Sequence, residues 1–110
     1  MESKLINFSI ADYSSKSDLE HNLFKWNEVK DEYLSKLEAK GMIRFTILRI
    51  WNKDGIFRLG YLFEYEDELS FKKCQPIWQE IEKNQTSQAP VKIFSNRGIV
   101  IEDKKFKSGI

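Results

Sequence analysis

The feature that most constrains the fold is a pair of long apolar segments joined by a short polar turn. The segments run from Met42 to Trp51 and from Ile56 to Tyr65, and Asn52-Lys53-Asp54-Gly55 separates them. Both segments are dense in isoleucine, leucine and aromatic residues, which suit a pleated surface, and Asp54-Gly55 supplies the positive-φ positions of a tight reversal. The pattern therefore predicts a β-hairpin.

Both faces of this hairpin are apolar. Alternation along the strands gives one face Ile43, Phe45, Ile47, Trp51, Phe57, Leu59, Tyr61, Phe63 and Tyr65, and gives the other Met42, Leu48, Ile50, Ile56 and Leu62. A sheet that is apolar on both faces needs two covering layers. A chain of 110 residues has helices for only one of them.

The segment before the hairpin predicts a strand and a long helix. Leu5 to Ala11 alternates, with Ile6, Phe8 and Ile10 on one side and Asn7 and Ser9 on the other. Ser17 and Glu20 match a capping box, so a helix is expected from Asp18 to about Lys40, ended by Gly41.

The segment after the hairpin predicts a second helix and a broken strand. The helix runs from Asp67 to about Lys83, and because Pro76 lies inside it, a kink or break is expected near Cys74 to Gln75. Asn84 to Pro90 reads as a polar loop. A final strand covers Val91 to Phe94 and resumes from Ile99 to Glu102, because Ser95-Asn96-Arg97-Gly98 is typical of a bulge or turn.

The resulting order of elements is that of a ferredoxin-like α+β fold, βαββαβ, with a four-stranded antiparallel sheet and two helices on one face. Residues 1–103 are expected to form one domain, and residues 104–110 a charged, frayed tail. The open face of the sheet needs a cover, and a second copy of the chain supplies one. The sequence therefore predicts a homodimer.

Candidate site residues lie on the apolar faces of the two helices. At 100° per residue, Leu19, Leu23, Trp26, Tyr33, Leu34 and Leu37 form one stripe of the first helix, and Phe71, Cys74, Ile77, Trp78 and Ile81 form that of the second. Lys30 falls inside the first stripe, either as a stem reaching water or as a cation in a cavity. We expect a pocket between helices and sheet with Trp26, Lys30, Tyr33 and Trp78 as ligand-binding residues.

Charge and composition exclude several function classes. The chain has 18 Lys+Arg against 17 Asp+Glu, so no strong field points to nucleic acid. No window approaches the roughly 20 apolar residues of a membrane span. One histidine and one cysteine do not make a metal site, and no motif implies a cofactor. The lone Cys74 and the mixed N-terminal segment favour the cytoplasm.

Several runs resemble the dimeric α+β barrel superfamily, which includes antibiotic-biosynthesis-type monooxygenases, haem-degrading monooxygenases and L-rhamnose mutarotases. The similarity covers most of the chain and is carried by Ala39-Lys40-Gly41, by Phe45-Thr46-Ile47-Leu48-Arg49 and by Gly60-Tyr61-Leu62-Phe63-Glu64-Tyr65-Glu66-Asp67. The resemblance implies a homodimer with a small-molecule pocket. It also implies that a cofactor-independent monooxygenase-like reaction is one candidate activity.

A weaker similarity links the chain to the mutarotase group, through His21, Trp26, Gly41, Cys74-Gln75 and Trp78. That group has a tyrosine one turn before the helix histidine, where this chain has Ser17. Haem-degrading enzymes resemble the chain at Asn7 but need a histidine on the second helix, which this chain lacks.

Three functions stay open from the sequence. The protein either binds or transforms a small organic molecule, or acts as a mutarotase with His21 as acid/base, or serves as a non-catalytic dimeric module. Weak catalytic candidates are His21 and Lys30, and a Cys74–His21 nucleophile pair is a further alternative to Cys74 as a core residue.

Overall fold

The computed structural model describes residues 4–85 and 91–107. Six elements follow one another: β1 (Leu5–Tyr13), α1 (Lys16–Ala39), β2 (Met42–Arg49), β3 (Phe57–Tyr65), α2 (Glu68–Gln85) and β4 (Val91–Ile99). The strands form one antiparallel sheet in the order β2-β3-β1-β4, and both helices pack on the same face. The predicted ferredoxin-like fold is confirmed.

The hairpin is confirmed, with two differences. Gly55 has the expected positive φ of +74°, but the strands end at Arg49 and begin again at Phe57, so the connection is wider than predicted and Trp51 is 90% exposed. A bulge between Met42 and Arg44 shifts the pleat by one residue. Met42 therefore joins the helix-facing core, whereas simple alternation placed it on the open face.

Two details of the helices differ from the sequence prediction. The N-cap of α1 is Ser15, whose Oγ accepts a hydrogen bond from the Asp18 backbone N–H at 3.1 Å. The prediction that Ser17 caps the helix is therefore wrong. Of the kink or break expected in α2, a break is contradicted, because the helix continues through Pro76. The helix also takes in Asn84, which was expected in the following loop. The rest of the predicted loop, residues 86–90, lies outside the described residues.

The predicted interruption of β4 is wrong as well. Ser95 to Gly98 pairs with β1 in unbroken register, with Ser95 opposite Ser9 and Arg97 opposite Asn7. The polar residues stay in the strand because their side chains meet polar partners on β1. This polar run is therefore part of the strand and not a turn, and its residues Ser95 to Gly98 are exposed.

The core lies between helices and sheet in two clusters. The larger contains Leu5, Tyr33, Leu37, Met42, Tyr65, Cys74 and Ile81, and the smaller contains Ala11, Tyr13, Leu19 and Leu59. Gly41 joins α1 to β2 at a φ of +106°, and its carbonyl accepts a hydrogen bond from the Glu66 N–H. A Cβ at this position would lie 2.2 Å from Ser70 Oγ, so the close approach of the α2 start requires glycine.

The opposite face of the sheet is uncovered and apolar at its centre. Phe8 and Phe94 are 41% and 57% exposed, and Ile10 lies opposite Phe94 in the ladder. Ion pairs flank this band at both ends: Arg44 with Glu64, and Arg58 with Asp12. In the described part of the chain, neither helix combines the length and hydropathy that a membrane span requires.

Candidate functional site

A cavity of about 430 Å³ lies between the helices and the sheet, beside the two core clusters. Its size falls within the range of small-molecule sites. All six elements contribute to its lining: Asn7, Ser9, Ala11, Tyr13, Asn22, Leu23, Trp26, Phe45, Ile47, Tyr61, Phe63, Tyr65, Phe71, Gln75, Trp78, Ile81, Glu82, Ile93, Ser95 and Arg97.

One wall of the cavity is a continuous row of aromatic rings. Phe45 lies 5.6 Å from Trp26 and 5.1 Å from Phe63 between ring centroids, and Phe63 lies 4.5 Å from Trp78 with an interplanar angle of 27°. Such offset pairs are the favoured geometry of aromatic side chains. The row is held in place by the Trp78 Nε1–H, which donates to the buried Tyr65 hydroxyl at 2.8 Å.

The sheet side of the cavity carries a chain of polar contacts across β1 and β4. The Asn7 Nδ2 donates to Ser9 Oγ at 2.8 Å, and the Ser9 and Ser95 hydroxyls share a hydrogen bond of the same length. The Arg97 Nε–H donates to Asn7 Oδ1 at 3.1 Å. Asn7 and Ser9 are buried, so these bonds fix the polar surface within the fold.

Three tyrosine hydroxyls complete the lining. Burial raises the pKa of Tyr13, Tyr61 and Tyr65, in the last case to about 12, so all three are neutral donors at physiological pH. The hydrogen bond from Trp78 and the charge of Arg97 oppose part of the shift at Tyr65. The Tyr13 and Tyr61 oxygens lie 3.5 Å apart.

The structure brings two of the four expected ligand-binding residues to this cavity. Trp26 and Trp78 line it. Tyr33 is buried behind Trp26, stacked at 6.4 Å between centroids, and its hydroxyl accepts from Asn84. Lys30 instead borders a second hollow of about 550 Å³, which Trp26 also lines, together with Phe24 and Arg49.

We place the candidate site in the aromatic cavity and not in this larger hollow. The hollow is open to solvent and its rim carries the charged residues Glu20, Lys30 and Arg49, of which Arg49 and Glu20 are paired at 3.8 Å. The aromatic cavity has convergent buried polar groups, which are typical of ligand sites.

The remaining catalytic candidates lie in dissimilar surroundings. His21 is exposed on α1, whereas Cys74 is fully buried in the core and its thiol donates to the Leu37 carbonyl at 3.6 Å. Burial raises the pKa of Cys74, which disfavours the reactive thiolate. Within residues 4–85 and 91–107, no group of three or more His, Cys, Asp or Glu side chains is arranged to hold a metal ion.

Sequence reasoning missed the polar half of the site, namely Asn7, Ser9, Ser95 and Arg97. The sequence signal for these residues is their spacing. Asn7 and Ser9 in β1, and Ser95 and Arg97 in β4, are two positions apart, so each pair lies on one face of its strand. Pairing of the two strands in this register then brings the four side chains together. The arrangement offers hydrogen-bonding groups, the Arg97 cation and the Glu82 carboxylate beside an aromatic wall.

Comparison with known proteins adds the following similarities. A family model described as a domain of unknown function, DUF6974, matches residues 2–100. A dimeric ferredoxin-like protein from an uncultured marine organism is 30% identical with a TM-score of 0.83, over 94% of this chain and 100% of that chain. Comparison with curated proteins gives no match.

Two Streptomyces structures share the fold at low identity. A monooxygenase from Streptomyces coelicolor, in complex with the ligand Nanaomycin D, is 13% identical with a TM-score of 0.60, over 92% of this chain and 94% of that chain. A cofactor-independent oxygenase from Streptomyces nogalater is 13% identical with a TM-score of 0.53, over 96% of this chain and 98% of that chain. The expected resemblance to monooxygenase-like dimeric α+β proteins is confirmed at the level of fold.

Proposed function

The chain belongs to the DUF6974 family, a domain of unknown function, and we propose that it binds a flat organic molecule in the aromatic cavity. The observation that carries this proposal is the row of four rings, Trp26, Phe45, Phe63 and Trp78, which lines the same open space as polar groups of β1 and β4. A core without a ligand role is close-packed and leaves few voids larger than a water molecule.

The cavity suits a planar ligand for two physical reasons. Stacked aromatic side chains present flat faces, and a planar ring system gains offset contacts with them at little conformational cost. The hydroxyls of Tyr13, Tyr61 and Ser95 border the same space and supply donors for oxygen substituents.

We further propose that the protein is a homodimer that covers its open sheet face with a second copy. The apolar centre of that face, with Phe8 and Phe94 exposed, is flanked by the Arg44–Glu64 and Arg58–Asp12 pairs. This pattern of apolar centre and charged rim is that of protein interfaces. The 30% identical marine protein is described as dimeric.

A second candidate function is oxidation of the bound molecule without a cofactor, as in the Streptomyces nogalater oxygenase of the same fold. The cavity is walled by aromatic rings and neutral hydroxyls, which would shield an electron-rich phenol while O₂ reacts with it. Oxygen uptake by phenols, measured with an electrode with and without the protein, tests this activity. The mutarotase alternative receives no support from the site, because His21 lies outside the cavity lining.

The binding proposal is tested by blocking the cavity from α2. Gln75 lines the cavity and Gln79 lies one turn later, outside the lining and exposed. Gln75→Trp fills the space, whereas Gln79→Trp adds the same side chain elsewhere. We expect flat phenols, quinones or aromatic acids to raise the unfolding temperature of the wild type and of Gln79→Trp, but not of Gln75→Trp.

Two outcomes of this screen contradict the proposal. One is the absence of stabilisation of the wild-type protein by any flat aromatic compound at millimolar concentration. The other is equal stabilisation of both tryptophan variants, which would place the ligand outside the cavity. Light scattering on the same samples reports the oligomeric state independently.

A further inference from the structure

We propose that the ligand of the aromatic cavity carries an anionic group, such as a carboxylate, and that Arg97 binds it through its two terminal nitrogens. This inference rests on the proposed function, since it names the chemical class of molecule that the same cavity takes. It assigns a specific role to a β4 residue that borders the cavity beside Tyr65 and Phe71.

The guanidinium of Arg97 is held in place by two contacts. Its Nε–H donates to Asn7 Oδ1 at 3.1 Å, and its Cζ lies 5.0 Å from the centroid of the Phe71 ring. Asn7 is itself buried and held by the hydrogen bond of its Nδ2 to Ser9 Oγ. The amide therefore presents its oxygen to Arg97 and its nitrogen to Ser9, and the guanidinium plane is fixed before any ligand arrives.

The terminal nitrogens of Arg97 are left for a ligand. Among residues 4–85 and 91–107, no carboxylate forms an ion pair with Arg97. The hydrogen bond from Arg97 to Asn7 uses Nε and not the terminal nitrogens. The other three arginines of the sheet, Arg44, Arg49 and Arg58, are all paired with carboxylates. Two parallel N–H donors at the end of a guanidinium match the two oxygens of a carboxylate.

The position of Arg97 fits the aromatic wall. Arg97 and Trp78 line the same cavity as Tyr65, whose hydroxyl accepts the hydrogen bond from Trp78 Nε1, so the cation and the indole border one space. A ring system stacked near Trp78 and Phe63 can therefore direct an attached carboxylate to Arg97. Aromatic acids combine both features in one small molecule.

Isothermal titration calorimetry with matched probes tests this inference. The probes are 2-naphthoate and its uncharged analogue 2-naphthamide, together with the corresponding benzene and anthracene pairs. We expect the wild type to bind the acid at least about tenfold more tightly than the amide in the pair that fits best, because a hydrogen-bonded charge pair contributes that much affinity.

Three variants separate charge from shape. Arg97→Gln is expected to weaken acid binding about tenfold to a hundredfold and to leave amide binding unchanged. Asn7→Asp is expected to weaken acid binding as well, because it places a carboxylate against the guanidinium. Lys72→Gln removes one positive charge from the exposed surface of α2, and its acid binding should equal that of the wild type.

The outcomes distinguish this inference from the proposal beneath it. If acid and amide bind the wild type equally, or if Arg97→Gln keeps the preference for the acid, the role of Arg97 is refuted while the cavity remains a ligand site. If no member of any pair binds, the proposed function fails and this inference fails with it. Retained amide binding, or an unchanged unfolding temperature, shows that each variant is folded.

Discussion

The hydrogen bond between Trp78 and Tyr65 is predicted to stabilise the fold and to set the geometry of the aromatic wall. Tyr65 is only 1% exposed, and its hydroxyl accepts the Trp78 Nε1–H at 2.8 Å. Tyr65→Phe removes the acceptor and leaves the indole N–H without a protein partner at a half-buried position. An unsatisfied buried donor costs about 1–3 kcal/mol, and partial access of water from the cavity favours the lower half of that range.

We therefore expect Tyr65→Phe to lower the free energy of unfolding by about 1–2 kcal/mol, which corresponds to a fall in Tm of roughly 5–10 °C for a domain of this size. Urea unfolding followed by circular dichroism measures the difference. Tyr33→Phe is the matched control, because the Tyr33 hydroxyl accepts from Asn84, which is exposed and can turn to water. Its cost should stay below about 0.5 kcal/mol. Equal losses in the two variants would refute the reasoning.

Three further predictions concern pH, assembly and the α1–β2 junction. The pKa of Tyr65 is raised to about 12 in the fold. The stability that this shift contributes is therefore complete below pH 10 and is lost between pH 10 and 12. Tyr65→Phe should flatten this decline when the free energy of unfolding is measured by urea titration across that pH range. Phe8→Arg places a charge at the centre of the open sheet face and should convert the dimer to a monomer. Light scattering measures the mass of both proteins, and a monomer mass for the wild type would contradict the proposed dimer. Gly41→Ala should lower the free energy of unfolding by more than about 2 kcal/mol, because alanine would have a positive φ there and its Cβ would clash with Ser70. A loss below about 1 kcal/mol in urea unfolding would contradict this account.

The parts of the fold that depend on local periodicity were predictable from the sequence. The hairpin, the two helices and their apolar faces follow from patterns that each segment carries by itself. The two-sided apolar hairpin also indicated that the helices leave one face of the sheet open, and Phe8 and Phe94 lie exposed on that face.

The parts that depend on pairing between distant segments were not predictable in the same way. Ser95 to Gly98 has the composition of a turn, and only its register against Asn7 and Ser9 shows why the strand continues. Met42 changes face because of a bulge that has no signature in the hairpin sequence.

The candidate site illustrates the same limit. Helical periodicity identified Trp26 and Trp78, which line the cavity. It also placed Lys30 in the same stripe as Trp26, although Lys30 borders the second hollow and not the cavity. Arg97 became a candidate only when the sheet set it beside Asn7 and over the Phe71 ring.

The most direct test of the account is a crystal structure of the protein soaked with 2-naphthoate. We expect the naphthalene ring inside the aromatic cavity, in offset contact with Trp78 and Phe63, with its carboxylate at the terminal nitrogens of Arg97. A cavity that is filled by its own side chains, or a naphthoate bound only on another surface, would contradict the central claim that this cavity is a ligand site.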